Sequence, residues 1–357
     1  LTGIFQNCGI RSYYAPFSGV ITNKISARLP FDKGCQTAYC IGKYSTQSNL
    51  LAYSKLGNHP KDNIMIMNDF IVGCGYVGKR LAQQLLEMGH QVYALSRSDS
   101  STQKLAALGI IPLQGNLAEP DTLPLFTHLP YTLFYFAPPP LYGTHDVHLN
   151  NFLDTLDAPY LPQKIVLIST TGVYGDCQGA WVDETQSLNP QTDRARRRAH
   201  AEHLAQTWTD KHQIPLVILR VAGIYGADQL PLQRLQQGFS VLAEAISPFS
   251  NRVHVVDLVR VCLAAAEKDV VGVFNVSDGN PTTMSDYFNQ VARMFNLPLP
   301  PVIDRMTAHL QFSAEMLSYL GESRRIDNRK MREQLGIEPL YPDLVTGLLQ
   351  CQERLQK

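Results

Sequence analysis

Residues 68–78 read Asn-Asp-Phe-Ile-Val-Gly-Cys-Gly-Tyr-Val-Gly, a short apolar run that passes directly into Gly73-x-Gly75-x-x-Gly78. Behind it, Val77, Leu81, Leu85 and Met88 recur at helical spacing and Gly89 supplies a stop. A second apolar run, Gln91–Leu95, follows at once. Set between a strand and a helix, the three glycines read as a dinucleotide-binding turn. The first permits the tight turn, the second admits a pyrophosphate to the backbone, and the third lets helix and strand pack closely. Tyr76 and Val77 then stand at the helix N-terminus, whose unpaired N–H groups favour an anion.

The same alternation continues. Strands are predicted at Asp69–Val72, Gln91–Leu95, Ile110–Leu113, Thr132–Ala137, Lys164–Ser169 and Leu216–Val221, and helices at Val77–Met88, Ser101–Leu108, His148–Leu156 and Asp193–Asp210. Continuous apolar runs such as Ile165–Ile168 suit parallel strands covered on both faces. The fold expected is α/β, a Rossmann-type doubly wound parallel sheet over residues 67–226, with a smaller C-terminal α/β substrate lobe over 227–357. Within that lobe a strand at Arg252–Val256, a helix at Leu258–Lys268 and a strand at Val273–Val276 are expected to return to the sheet. Further helices are expected near Thr283–Phe295 and Asp327–Leu335. Residues 1–66 show no sustained period and carry seven Lys or Arg against Asp32 and Asp62. They read as a non-core leader, with Met67 a natural start; a transit peptide is the alternative.

The 357 residues carry a formal net charge of zero, which argues against nucleic acid as the main partner. No apolar run is long enough to span a bilayer. Seven cysteines without C-x-x-C pairing suggest neither a zinc site nor a disulfide framework, and so a reducing, cytoplasmic setting with no bound metal. A small-molecule substrate is the partner expected, and a homodimer is compatible with this reading.

Leu167-Ile-Ser-Thr-Thr-Gly-Val-Tyr-Gly-Asp176, Leu219-Arg-Val-Ala-Gly-Ile-Tyr-Gly226 and Asn251-Arg-Val-His-Val-Val-Asp-Leu258 follow the glycine turn in order. Together they resemble the extended short-chain dehydrogenase/reductases, the nucleotide-sugar epimerases and dehydratases, from about Met67 to the C-terminus. The ending, Arg325-Ile-Asp-Asn-Arg-Lys followed by Leu335-Gly and Tyr341-Pro-Asp, is similar to an atypical epimerase/dehydratase-like branch. The resemblance implies that Thr170 lies beside the nicotinamide and hydrogen-bonds a substrate oxygen. A strand-end threonine capping a turn is the plainer reading.

The family's Tyr-x-x-x-Lys pair is missing. Counted back from Glu202, its positions fall on Arg194 and Arg198, and arginine cannot act as a base. Tyr39…Lys43 and Tyr160…Lys164 match the spacing alone. Arg194, Arg196, Arg197 and Arg198 crowd a helix start, against the macrodipole. An anionic ligand would account for them, as would surface ion pairs with Asp193, Asp176 or Glu184. Tyr174 or a water is the proton source expected. Arg252 and His254, on one strand face, are candidate substrate contacts, and Asp257 is expected to cap the next helix.

Cofactor choice is marked at Ser96-Arg97-Ser98, where NAD-preferring enzymes place an acid. An arginine there suits a 2′-phosphate, so NADP(H) is expected ahead of NAD(H). Asn116-Leu117 resembles the family's adenine-contacting Asp-Leu pair, and Ala137-Pro138 ends the fourth strand where the family's backbone passes the cofactor. Two functions compete: an NADP(H)-dependent oxidoreductase or epimerase-like enzyme on a small polar substrate, a nucleotide sugar among the candidates, and a non-catalytic NADP(H)-binding sensor or scaffold.

Overall fold

Seven runs rich in Val, Ile, Leu, Phe and Tyr become the parallel strands of one sheet. In the computed structural model, which describes residues 67–356, they are β1 (Asn68–Val72), β2 (Gln91–Ser96), β3 (Ile111–Gln114), β4 (Tyr131–Tyr135), β5 (Lys164–Thr170), β6 (Leu216–Val221) and β7 (Gly272–Val276). Their order across the sheet is β7-β6-β5-β4-β1-β2-β3. Every residue of β1, β4 and β6 is buried, as strands covered on both faces must be. β3, at one edge, is half exposed and carries Pro112, a residue that an edge strand tolerates.

The strand period of two divides the core. Ile71, Val166 and Leu219 face one side, where they meet Leu81 of helix α1 (Tyr76–Glu87) and Leu258 and Val261 of a later helix, Val255–Glu267. Phe70, Leu133 and Leu167 face the other side, against Phe152 of helix α3 (Val147–Leu153) and Ala201 and Ala205 of Asp193–His212. A separate cluster of Tyr225, Phe288, Val291 and Leu348 holds the smaller C-terminal layer. Strand order reverses between β1 and its neighbour β4, which opens a crevice at the sheet's C-terminal edge.

Two expectations need correction. The run Arg252–Val256 is a strand only over Arg252–His254, and it pairs with Gly223–Tyr225 outside the main sheet. The chain turns into a helix at Val255 because the His254 ring accepts a hydrogen bond from the Val256 N–H at 3.4 Å. Asp257 is therefore not the cap. It lies one turn in, where its carboxylate accepts from the Leu340 and Tyr341 N–H groups and pairs with Arg260. Val273–Val276 does join the sheet, within β7, and Met331 and Leu335 also pack in the sheet's core, so the chain re-enters that layer more than once after residue 227. No helix among the described residues is long and apolar enough to cross a membrane. The expectations for residues 1–66 and for Tyr39…Lys43 lie outside the described residues.

Candidate functional site

The glycine turn after β1 is built tightly from backbone. Gly73 has φ +97°, and a Cβ there would lie 2.3 Å from the Ala137 nitrogen, beyond β4. A Cβ at Gly78 would meet the Gly73 carbonyl at 3.0 Å and Ile71 at 3.2 Å. Gly75 differs, since a Cβ there meets nothing within 4 Å, and this residue caps α1 without any side-chain bond. Open space thus stands directly before a helix end with uncapped N–H groups, as a pyrophosphate requires. The residues present fit a dinucleotide. Val77 is buried in the first turn of α1. The Tyr76 side chain turns away to Gly226, where an added Cβ would strike its hydroxyl, so only its backbone can serve the turn.

At the end of β2, the buried Ser96 hydroxyl donates to the Ser98 carbonyl, and Ser98 caps helix α2 (Asp99–Ala106). Arg97 projects, exposed and without a hydrogen bond or ion pair to any described residue. The Asn116 side chain is committed to its own turn, donating to Glu119 at 2.7 Å and accepting from the Ala118 N–H. Leu117 packs against the core beside β2 and β4.

Past these strand ends lies a cavity of about 440 Å³ lined by Pro138, Thr170, Arg194, Arg252, Tyr319 and Arg324, among others. Thr170 ends β5, and its hydroxyl oxygen accepts from the Gly172 N–H at 3.2 Å. The turn-capping reading holds, yet the O–H is still able to donate into the cavity.

The helix Asp193–His212, α4 here, starts at Thr192, whose side chain caps the Ala195 N–H. Spacings of three and four turn Arg194, Arg197 and Arg198 to the cavity, while Arg196 points out and pairs with Asp193 at 2.8 Å. The inward three do different things. Arg198 donates to the Ala137 and Ile168 carbonyls, bracing the ends of β4 and β5, so it is chiefly a strut. Arg197 donates to the Gly143 carbonyl. Arg194 lies 3.4 Å above the Tyr319 ring with one buried Nη lacking a partner. Across the cavity Arg252 lies 4.1 Å above the Tyr287 ring, with its Nε unpartnered. Burial weakens the hold of Arg198 and Arg252 on their protons, as expected for desolvated cations.

Two expected site residues are elsewhere. Tyr174 does not line the cavity; it is 1 % exposed, donates to Asn275 at 2.8 Å and accepts from Arg220 at 2.9 Å. Burial pushes its phenol up to about 12. It belongs to a buried network in which Arg220 grips Glu202 at 2.8 Å and Ser169 also bonds Glu202. A fully partnered group of this kind fixes geometry and cannot exchange a proton with substrate. His254 is likewise buried, packed between Tyr225 and Tyr341, and burial lowers its ring to about 4. Its strand partner Arg252 does reach the cavity.

Sequence reasoning missed Tyr319, Glu322 and Arg324. Glu322 pairs with Arg324 at 2.9 Å and keeps its other oxygen buried and unpartnered, while Arg324 also donates to the Gly175 carbonyl. These residues lie over a hundred positions from α4 in the chain, and no spacing rule links them. The only signal was the charged Arg324-Arg325 pair beside the C-terminal motif.

The chain is similar to several known proteins. Over 300 residues the chain is 26% identical to the protein YeeZ of Escherichia coli K12, covering 76% of this chain and 96% of that one. It is 28% identical over 270 residues to a 4-hydroxy-2-methyl-3-oxo-4-farnesyl-3,4-dihydroquinoline-1-oxide ketoreductase of Stigmatella aurantiaca, covering 68% and 79%. A conserved protein of unknown function from Silicibacter pomeroyi superposes with a TM-score of 0.68 at 29% identity, over 81% of this chain and 99% of that one. UDP-glucose 4-epimerase of Thermotoga maritima, solved with UDP-glucose, shares the fold at a TM-score of 0.66 and 19% identity, with the same two coverages of 81% and 99%. The model of the NAD dependent epimerase/dehydratase family matches residues 70–277, from β1 through β7, and the chain belongs to that family.

Proposed function

We propose that this chain is an NADP(H)-dependent oxidoreductase or epimerase-like enzyme acting on a small polar substrate in the cavity beyond β4 and β5. The observation that carries the reading is the meeting of three features at one sheet edge. The glycine turn leaves room at Gly75, Thr170 offers a hydroxyl to the cavity, and unpaired guanidiniums line its walls. A bound nicotinamide would supply hydride exchange. Gly73, Gly75, Val77 and Gly78 would hold the pyrophosphate through the turn and helix end, and Arg97 would meet a 2′-phosphate. Thr170 would orient the substrate oxygen, and Tyr319 and Glu322 are lining groups able to exchange a proton. The structural neighbour solved with UDP-glucose makes nucleotide sugars the first class to assay. Free thiols at Cys74, Cys177, Cys262 and Cys351 accord with a cytoplasmic setting.

Calorimetry should show NADPH binding about tenfold or more tighter than NADH, and Arg97→Asp should reverse the order. Thr170→Ala should lower the rate of hydride exchange by about a hundredfold with cofactor affinity unchanged. Equal affinity for both cofactors sinks the NADP(H) assignment, and unchanged turnover in Thr170→Ala sinks the role given to Thr170. The second reading, a sensor without turnover, rests on the use of Arg198 as a strut where the family keeps a lysine. Tight NADPH binding without turnover on broad carbonyl, alcohol and nucleotide-sugar panels would put it ahead.

A further inference from the structure

Of the five arginines that line the cavity, only Arg324 has an ion-pair partner among the described residues, and that partner, Glu322, is the cavity's one acidic lining residue. Arg197 and Arg198 are spent on backbone carbonyls. Arg194 donates to no described residue, and Arg252 makes only one long bond, from Nη1 to the Asn251 carbonyl at 3.4 Å. Each has its guanidinium carbon over a tyrosine ring, Tyr319 at 3.4 Å and Tyr287 at 4.1 Å from the ring centre. Stacking fixes the plane of a guanidinium and leaves its charge uncancelled and its N–H edge free. Both have a buried nitrogen with no partner, Nη1 of Arg194 and Nε of Arg252, as do Arg197 and Arg324 at Nε, but of the five only Arg194 and Arg252 combine this with a tyrosine ring beneath the guanidinium. The two are held by unrelated elements, Arg194 by the first turn of α4 and Arg252 by the short strand beside Gly223. Gly223 is itself shaped to this end, since a Cβ there would lie 2.3 Å from Nη1 of Arg252.

A desolvated cation without a counter-charge destabilises a folded chain, and Arg252 is the more desolvated of the two. Two in one cavity, each preorganised on an aromatic face, are a site whose missing partner is negative. Asp278 stands near Arg252 but beyond ion-pair distance, and burial pushes its carboxyl up to about 7, so it is a weak counter-charge at neutral pH. Bidentate N–H donation matches a carboxylate or a phosphate oxygen pair. We propose that the cavity binds a compact ligand with two separate anionic groups, carboxylate or phosphate, one on Arg194 and the other on Arg252. The proposal rests on the preceding functional reading only for the ligand's being the substrate; the binding site stands without it.

The test is calorimetry on the full chain without added dinucleotide, using 2-phosphoglycolate, succinate, inorganic phosphate and uridine diphosphate as probes. A two-ended anion should bind at least about tenfold tighter than inorganic phosphate, and the better of phosphoglycolate and succinate tells which groups the two ends prefer. Arg194→Gln and Arg252→Gln should each bring that affinity down to the level of phosphate. Equal binding of one-ended and two-ended anions in the unaltered chain would overturn the proposal without recourse to any variant. So would tighter binding of uridine diphosphate than of either two-ended probe, because one clustered diphosphate would then be the preferred ligand. NADPH binding, measured in parallel, separates the two readings. Its loss with two-ended anion binding intact condemns the dinucleotide assignment alone, and the converse condemns this proposal alone.

Discussion

The two sides of the site are built by opposite means. On the β1 side the site is shaped by backbone: Gly73 nearly touches Ala137, Gly78 packs on Ile71, and the helix end is left uncapped beside open space at Gly75. On the α4 side it is done by side-chain charge held in place by tyrosine rings. A backbone site is coupled to the fold, because the contacts that shape it also hold strand to helix. A site of unpaired charge works against the fold, because Arg252 is desolvated before any ligand arrives. Substitutions on the two sides should therefore move stability in opposite directions.

The largest effect is expected at Gly73. Gly73→Val places side-chain atoms against the Ala137 backbone at a residue with φ +97°. It should cost on the order of 5 kcal/mol and abolish dinucleotide binding, as read by chemical denaturation and calorimetry. A stable, binding-competent Gly73→Val would break the comparison at its root.

Next is Asp278, behind Arg252. Its folded value of about 7 lies above the ordinary carboxylate value of 3.8 because burial penalises the charge. Between those values the folded chain holds a proton that the unfolded chain has released, so stability contributed by this group falls as pH rises from about 4 through 7. Above that window the charged carboxylate imposes its full cost, up to about 4 kcal/mol. Asp278→Asn retains the oxygen that accepts the Asn280 N–H. It should raise the melting temperature clearly at pH 8 and little at pH 4. A gain equal at both pH values would remove desolvation as the cause.

The smallest effect sharpens the comparison most. Arg252→Met keeps an unbranched side chain on Tyr287 and removes the unpaired charge. It should stabilise the ligand-free protein by on the order of 1 kcal/mol, roughly 2–4 °C, while losing affinity for two-ended anions. Destabilisation would mean that Arg252 is held for structure rather than for a ligand.

Most of the sheet was legible because its signals are local. Strand runs of four to seven residues, the glycine spacing and the helix behind it need only neighbours to be read, and β6 agrees with expectation residue for residue. Ser96, Arg97 and Ser98 could be placed at the end of β2 for the same reason. Failures came where one residue has two local options. The run Val253–Val256 suits a strand by composition, but the His254 cap and the grip of Asp257 on Leu340 and Tyr341 start a helix at Val255. Tyr174 sits in a motif that promises a reactive phenol, yet Arg220 and Asn275, both distant in sequence, close around it.

The sequence by itself determined the parallel sheet, the glycine turn, the exposed arginine after β2 and the absence of a tyrosine–lysine pair on α4, since each depends on residue type at short spacing. Only the tertiary structure decided which of four clustered arginines faces the cavity, which is spent as a strut, and which aromatic ring supports it. It also brought Glu322 and Arg324 to the same cavity wall. The physical reason is that a guanidinium's role depends on what neutralises or stacks on it, and for Arg194 and Arg197 those partners, Tyr319 and the Gly143 carbonyl, come from elements more than fifty residues away.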